Sequence, residues 1–271
     1  MVVVRRHGAE VWMNWLVEVL RDQRERHVDG NVYKACQCDF AYNSNHMEGS
    51  TLTHDQTVQV FDRGTFAGTA KVDDIVEARN HFNAFDHVID TFDEPLTGAY
   101  LKGLHGILKR GTSDDANPIM AVGDYKRASN VIVGAVPSTR TASPKDVPRL
   151  MSEIFSAYER SARDLRDILD FHVRMERIHP FSDGNGRVGR LVMFKECLRS
   201  GLTPFIITDD LREFYLRGIR EWGKVDGYLS DTCGHAQDLF AAEYLPLARE
   251  WWELMQEEWP EGQPNGSEAG A

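Results

Sequence analysis

The stretch HPFSDGNGRVGR, His179 to Arg190, decides how this sequence reads. It gathers a histidine, an acid, two glycines around an asparagine, and two arginines. Pro180 disfavours helix at His179 and pushes that residue towards extended backbone. Gly184 and Gly186 permit tight backbone geometry and leave N–H groups bare. A helix restarting after them presents unpaired donors and a dipole that favour an anion. Arg187 and Arg190 are one helical turn apart and point to one side, and guanidinium groups suit phosphate oxygens. Asp183, a lone carboxylate beside phosphates, is a natural Mg²⁺ ligand, with phosphates and water completing the octahedron. His179 titrates near neutrality and can take a proton from a hydroxyl. Singly, each of these residues is most often structural. Jointly they describe a nucleotide-phosphate site in a strand-free helix–loop–helix, with neither the Walker nor the Rossmann glycine pattern.

Outward from this stretch, hydrophobic spacing is helical almost throughout. Val11, Trp12, Trp15, Leu16, Val19 and Leu20 recur at helical steps, and a second helix runs from about Asn31 towards Met47, stopped by Gly49. Thr53 and Gln56 fit a capping box. Val72, Ile75, Val76, Phe82, Phe85, Val88 and Ile89 line one face of another helix, and one more covers about Gly98 to Lys109. Between Gly111 and Pro148 the pattern breaks into glycines, prolines and polar clusters around NVIVGAVP, a short strand or hairpin arm. Helix resumes from about Lys145 to Ile178, restarts after Gly186 to Arg199, and returns near Asp209–Trp222 and Thr232–Glu257. The expectation is one compact, mainly α domain with an N-terminal helical extension.

Bulk properties narrow the classes. The 271 residues suffice for one large domain, and a 42% hydrophobic content is ordinary for a globular protein. No apolar run approaches bilayer length, and MVVVRRHGAE has the wrong order for a secretory signal, so a cytoplasmic protein is expected. Cys36, Cys38, Cys197 and Cys233 are scattered, which predicts reduced thiols and neither disulfides nor paired zinc ligands. The net charge of −11 argues against a general nucleic-acid surface but not against a local basic pocket for one nucleotide. The acidic EEWPEGQPNGSEAGA reads as a frayed tail.

HPFSDGNGRVGR, with the flanks FHVRMERI and LVMFKECL, resembles the Fic family, whose signature is a histidine, any residue, phenylalanine, any residue, an acid, GNGR, two residues and arginine. The resemblance covers about Asn31 to Leu245. It implies a helical bundle with a β-hairpin flap, and transfer of AMP from ATP to a hydroxyl of a target protein with loss of pyrophosphate. By resemblance, His179 is the base and Phe181 packs inward. Asp183 holds Mg²⁺, Gly184 and Gly186 offer N–H groups, and Asn185 grips the α-phosphate. Arg187 meets the β-phosphate and Arg190 the γ-phosphate. The implied division is an N-terminal helical region over 1–95, a core over 96–250, and an acidic helix end with a flexible tail over 251–271.

Three further segments take meaning from the resemblance. SNHMEG, Ser44 to Gly49, places Ser44 and Glu48 on one helical face; by spacing alone it is a solvated helix end. By resemblance it is an inhibitory helix, with Glu48 paired to Arg190 in the seat of the γ-phosphate. In YKRASNVIVGAVP, the residues Val131, Ile132, Val133, Gly134 and Ala135 correspond to the flap, whose edge pairs with a target segment, although only Pro137 stands where some relatives carry two prolines. In REFYLRGIREW, Tyr215 and Trp222 share a face as core residues, and the resemblance places an adenine-contacting aromatic near Tyr215. Competing readings are a catalytically idle nucleotide-sensing or toxin-neutralising partner, an enzyme using another nucleotide or removing AMP, and a transcription regulator. Intact His179 and Asp183 oppose the first, and the acidic balance opposes the last. A homo-oligomer is compatible with the family, but the sequence carries no interface signal.

Overall fold

The structure, a computed structural model, describes residues 14–27, 30–132 and 139–258. Among these are eleven α-helices: α1 (Asn14–Arg26), α2 (Val32–Met47), α3 (His54–Arg63), α4 (Val72–Asp90), α5 (Gly98–Lys109), α6 (Val147–Glu159), α7 (Leu165–Ile178), α8 (Asn185–Arg199), α9 (Arg212–Glu221), α10 (Gly227–Glu243) and α11 (Leu245–Glu258). The predominantly helical class matches the expectation. Two short strands, β1 (Val131–Ile132) and β2 (Thr139–Arg140), pair antiparallel with Val131 opposite Arg140. The expected flap falls mostly on residues 133–138, which lie outside the described residues.

Local chemistry explains several boundaries. Thr53 accepts from the Gln56 N–H while the Gln56 side chain accepts from the Thr53 N–H, so the expected capping box starts α3. The single helix expected from Lys145 to Ile178 is two. Arg163 adopts φ 59°, and Asp164 then caps α7 by accepting from the Asp167 N–H. The stretch near Asp209 opens as a 3₁₀ turn, Asp209–Leu211, before α9. The last expected helix is also split. Pro246 has no N–H for a preceding helix and sits in the first turn of α11, and α10 begins earlier, at Gly227. Val72 does not join the buried face of α4. It is the first residue of the helix and 73% exposed, whereas Phe82, Phe85, Val88 and Ile89 are buried.

α8 runs through the centre of the molecule, and all its residues except Gly186 and Arg199 are buried. Phe194 sits on it with ring centroids 5.4 Å from both Phe40 of α2 and Phe85 of α4. Each such ring contributes on the order of 1.5–3 kcal/mol by leaving water. Polar residues on this helix are paired inside. Lys195 Nζ donates to Glu196 Oε1 at 2.7 Å and to the Glu94 carbonyl, and Tyr158 donates to Glu196 Oε2. One hydrophobic core extends from Leu16 of α1 to Ala248 of α11, so the N-terminal helices and the rest share an interior. The four cysteines are buried and unpaired. No described helix is long and apolar enough to cross a membrane.

Candidate functional site

His179 ends α7 as its C-cap. Its N–H donates to the Met175 carbonyl at 2.8 Å, and its backbone is left-handed, φ 54° and ψ 65°. The extended conformation expected before Pro180 is overridden, because a helix closing with a fifth-residue bond demands the left-handed turn. A non-glycine residue in that region is uncommon, and such positions cluster at functional sites. Burial first, and then the charge of Lys126, push the imidazole below its ordinary pKa, so it is neutral at neutral pH. Two residues on, Phe181 is fully buried and stacks on His105, centroids 4.0 Å apart and planes within 4°. His105 Nδ1 accepts from the Gly123 N–H, which leaves its Nε2–H to donate to the Asp183 carbonyl.

The turn closes on itself through Asn185. Its Oδ1 accepts from the Phe181 N–H at 2.9 Å, and its Nδ2 donates to the Phe181 carbonyl at 3.0 Å. The amide expected to grip a phosphate is therefore engaged with the main chain, and Asn185 holds the shape of the turn. Gly184 is the N-cap of α8 at φ 77°, a conformation that suits glycine. α8 starts at Asn185, so Gly186 lies inside its first turn, not before it.

Glu48 occupies the face of that first turn. A Cβ built on Gly186 would stand 2.2 Å from Glu48 Oε1. Arg190 Nη2 donates to Glu48 Oε1 at 2.7 Å and to the Ser44 carbonyl at 2.9 Å, and its Nε donates to Ser44 Oγ at 3.0 Å. Burial works against the guanidinium charge of Arg190, and Glu48, Tyr215 and Glu176 together more than offset it. Thus Ser44, Glu48 and Arg190, read from two distant motifs, meet at one point. A nearby acid, Glu176 of α7, has a buried Oε1 with no partner among the described residues. Burial and the Glu48 charge raise its carboxyl to about 7.

Arg187 does not stand free for a phosphate. Its Nη1 meets Glu77 Oε2 of α4 at 2.5 Å, and its Nη2 meets Asp183 Oδ2 at 2.8 Å. Lys109, at the end of α5 and 3% exposed, places Nζ 2.6 Å from each of Glu77, Asp114 and Asp183. Two cations and two anions, Glu77, Lys109, Asp183 and Arg187, so form a closed ring. Burial raises the Asp183 carboxyl, but Arg187 and Lys109 overcome this and bring it down to about 2. Asp183 is 46% exposed, so an ionised, accessible oxygen donor is available to a divalent cation. The described residues hold no cluster of three or more side chains able to ligate a metal by themselves. Glu77, Lys109 and His105 were not singled out from the sequence, where they are ordinary members of helical patterns.

Four expected site residues are placed differently or lie outside the described residues. Tyr215 is 1% exposed, and its hydroxyl bonds His172 Nε2 at 2.6 Å. It is a core residue beneath Arg190, as its helical spacing implied, and presents no ring face to a nucleobase. Val133, Gly134 and Ala135 lie outside the described residues.

Residues 95–197 match the profile of the Fic/DOC family. A protein adenylyltransferase Fic from Aedes aegypti is 26% identical over 240 residues, 85% of this chain and 47% of that protein. Its namesake from Drosophila grimshawi is 28% identical over 64% of this chain and 35% of its own length. The chain thus spans about half or less of these curated relatives. Among solved structures, a Fic-domain signalling protein from Bacteroides thetaiotaomicron superposes with a TM-score of 0.63 at 23% identity, covering 88% of this chain and 91% of that one. A Fic family protein from Desulfovibrio desulfuricans gives 0.60 at 21% identity, covering 93% and 76%.

Proposed function

The chain belongs to the Fic/DOC family, and from that premise we propose that it is a self-inhibited protein adenylyltransferase. It moves AMP from ATP onto a side-chain hydroxyl of a protein, itself included, and releases pyrophosphate. The observation that carries this reading is the Glu48 carboxylate seated on the first turn of α8 and held by Arg190. That turn combines helix N-terminal donors with a buried guanidinium, and so has the chemistry of an anion seat. The seat is filled by the protein's own acid, on the residue the family signature assigns to a nucleotide phosphate.

In the proposed reaction a neutral His179 accepts the proton of the hydroxyl, and the hydroxyl oxygen attacks the α-phosphorus as the bond to pyrophosphate breaks. A depressed imidazole pKa suits this role, because the base form is present at neutral pH. Asn185 and Phe181 keep the turn rigid, so the base and the phosphate seat stay in register. Asp183 is the residue that would hold Mg²⁺, which supplies positive charge to the phosphates when bound. Arg190 binds phosphate only after releasing Glu48. Withdrawal of Glu48 is therefore coupled to productive nucleotide binding.

The test is a mass spectrum of the full chain after incubation with Mg²⁺ and ATP, UTP or CTP in turn. Glu48→Gly is expected to gain AMP at least about tenfold faster than wild type, equivalent to about 1.4 kcal/mol of the barrier. Nucleotide binding without modification in Glu48→Gly would instead identify a nucleotide-sensing protein, and labelling by UTP or CTP would reassign the base.

A further inference from the structure

Lys126 lies in the segment before β1 and is 2% exposed. Its Nζ donates to Asn130 Oδ1 at 2.7 Å, to Thr141 Oγ1 at 2.8 Å and to the Ile178 carbonyl at 3.4 Å. Among the described residues it pairs with no carboxylate. The same segment grips the His179 turn through its main chain. The Lys126 N–H donates to the Pro180 carbonyl at 2.8 Å, Asn130 Nδ2 donates to the Phe181 carbonyl at 3.1 Å, and the Ala142 N–H donates to the Ile178 carbonyl at 3.3 Å. Both neighbours of His179 in the chain are thus tied to residues at the root of the β1–β2 pair.

We propose that Lys126 is a positioning residue for His179, a buried ammonium that fixes the turn and opposes a second positive charge on the imidazole. A buried charge without a counter-ion is costly, and an apolar or amide side chain would fill the space without that cost. What lysine adds is its field. Burial lowers Lys126 itself to about 8, so it carries its charge at neutral pH and below. The groups that face His179 are Lys126, the main chain of Glu176 on α7, Glu48 on α2 and Asp183 in its own loop. Lys126 lowers the imidazole pKa, and the other three raise it. Lys126 stays charged as pH falls below about 8, so its field opposes protonation of the imidazole throughout that range. The catalytic consequence rests on the proposed role of His179 as base; the electrostatic one does not.

The experiment is an NMR pH titration of the His179 ring in the full chain, free of nucleotide, for wild type, Lys126→Gln and Lys126→Arg. Lys126→Gln keeps hydrogen-bonding capacity and removes the charge. Its His179 is expected to titrate at least about half a pH unit higher than in wild type, and Lys126→Arg is expected to restore the low value. Identical titrations in all three overturn the proposal. If Lys126→Gln does not fold, wild type and Lys126→Arg still decide. The wild-type ring is expected to show a second, smaller inflection near pH 8, where Lys126 discharges, and Lys126→Arg is expected to erase it. Absence of that inflection from wild type overturns the proposal. Self-modification in a Glu48→Gly background adds a kinetic readout. Lys126→Gln is expected to lower kcat at least about tenfold and move its acid limb upward, with KM for ATP unchanged. An inactive Glu48→Gly parent refutes the transferase reading and leaves the ring titration to judge Lys126.

Discussion

Gly186 stands with no side chain where Glu48 presses against the start of α8. The contact is close enough that one methyl group tests it. Gly186→Ala puts a Cβ 2.2 Å from Glu48 Oε1 and 2.8 Å from Arg190 Nη1, so one of the three must move. The expected loss is about 1–3 kcal/mol, read from urea unfolding. In a Glu48→Gly background the obstructing carboxylate is gone, and the same substitution is expected to cost less by at least about 0.5 kcal/mol. Strictly additive losses would show that Glu48 does not sit there in solution. At this scale the sequence was informative about identity and weak about conformation. The motif named His179, Asp183, Asn185, Arg187 and Arg190. The left-handed backbone of His179 and the clasp of Asn185 on Phe181 are outcomes of how the turn closes.

Helices α4, α5 and α8 meet at the charge ring. Lys109 closes it from α5 and Glu77 from α4, and each cation has more than one carboxylate. Lys109→Met would leave Glu77, Asp114 and Asp183 without their shared ammonium. A loss of about 3 kcal/mol or more is expected, seen as a lower midpoint in urea with the slope unchanged. Lys109→Arg, which keeps the charge, is expected to lose less. A neutral result for Lys109→Met would mean that the three acids find solvent or one another tolerable, and the ring would lose its structural role. The sequence was blind here for a plain reason. Lys109 and Asp183 are 74 residues apart, and no period links a lysine at one helix end to an acid in a distant loop. The capping box at Thr53 was legible because both partners lie within one turn.

At the scale of the whole molecule, the helices that deliver Glu48 and Glu77 also build the core. Phe40 of α2 and Phe85 of α4 pack on Phe194 of α8, beneath the site that α2 covers. The covering helix is not a detachable lid. Deleting residues 1–50 is therefore expected to abolish cooperative unfolding, because Phe194 and its neighbours lose their partners to water. Glu48→Gly, by contrast, is expected to keep a single cooperative transition by calorimetry. A truncated chain that still melts in one sharp step would show that the N-terminal helices are an independent regulatory layer.

By itself, the sequence determined the helical class, most helix positions, the family signature and the pair of motifs that meet at Arg190. These depend on periodicity and on short runs of residues, which act locally along the chain. Only the tertiary structure decided that Tyr215 is buried against His172, that Asn185 holds the turn, that Arg187 is already held by Glu77 and Asp183, and that Lys126 bonds the Ile178 and Pro180 carbonyls on either side of His179. The contacts of Tyr215, Glu77 and Lys126 join elements far apart in the chain, whereas the Asn185 clasp and the Asp183–Arg187 pair are local and depend on how the turn closes. The packing of helices around α8 sets which side chains meet there, and no local pattern encodes that choice.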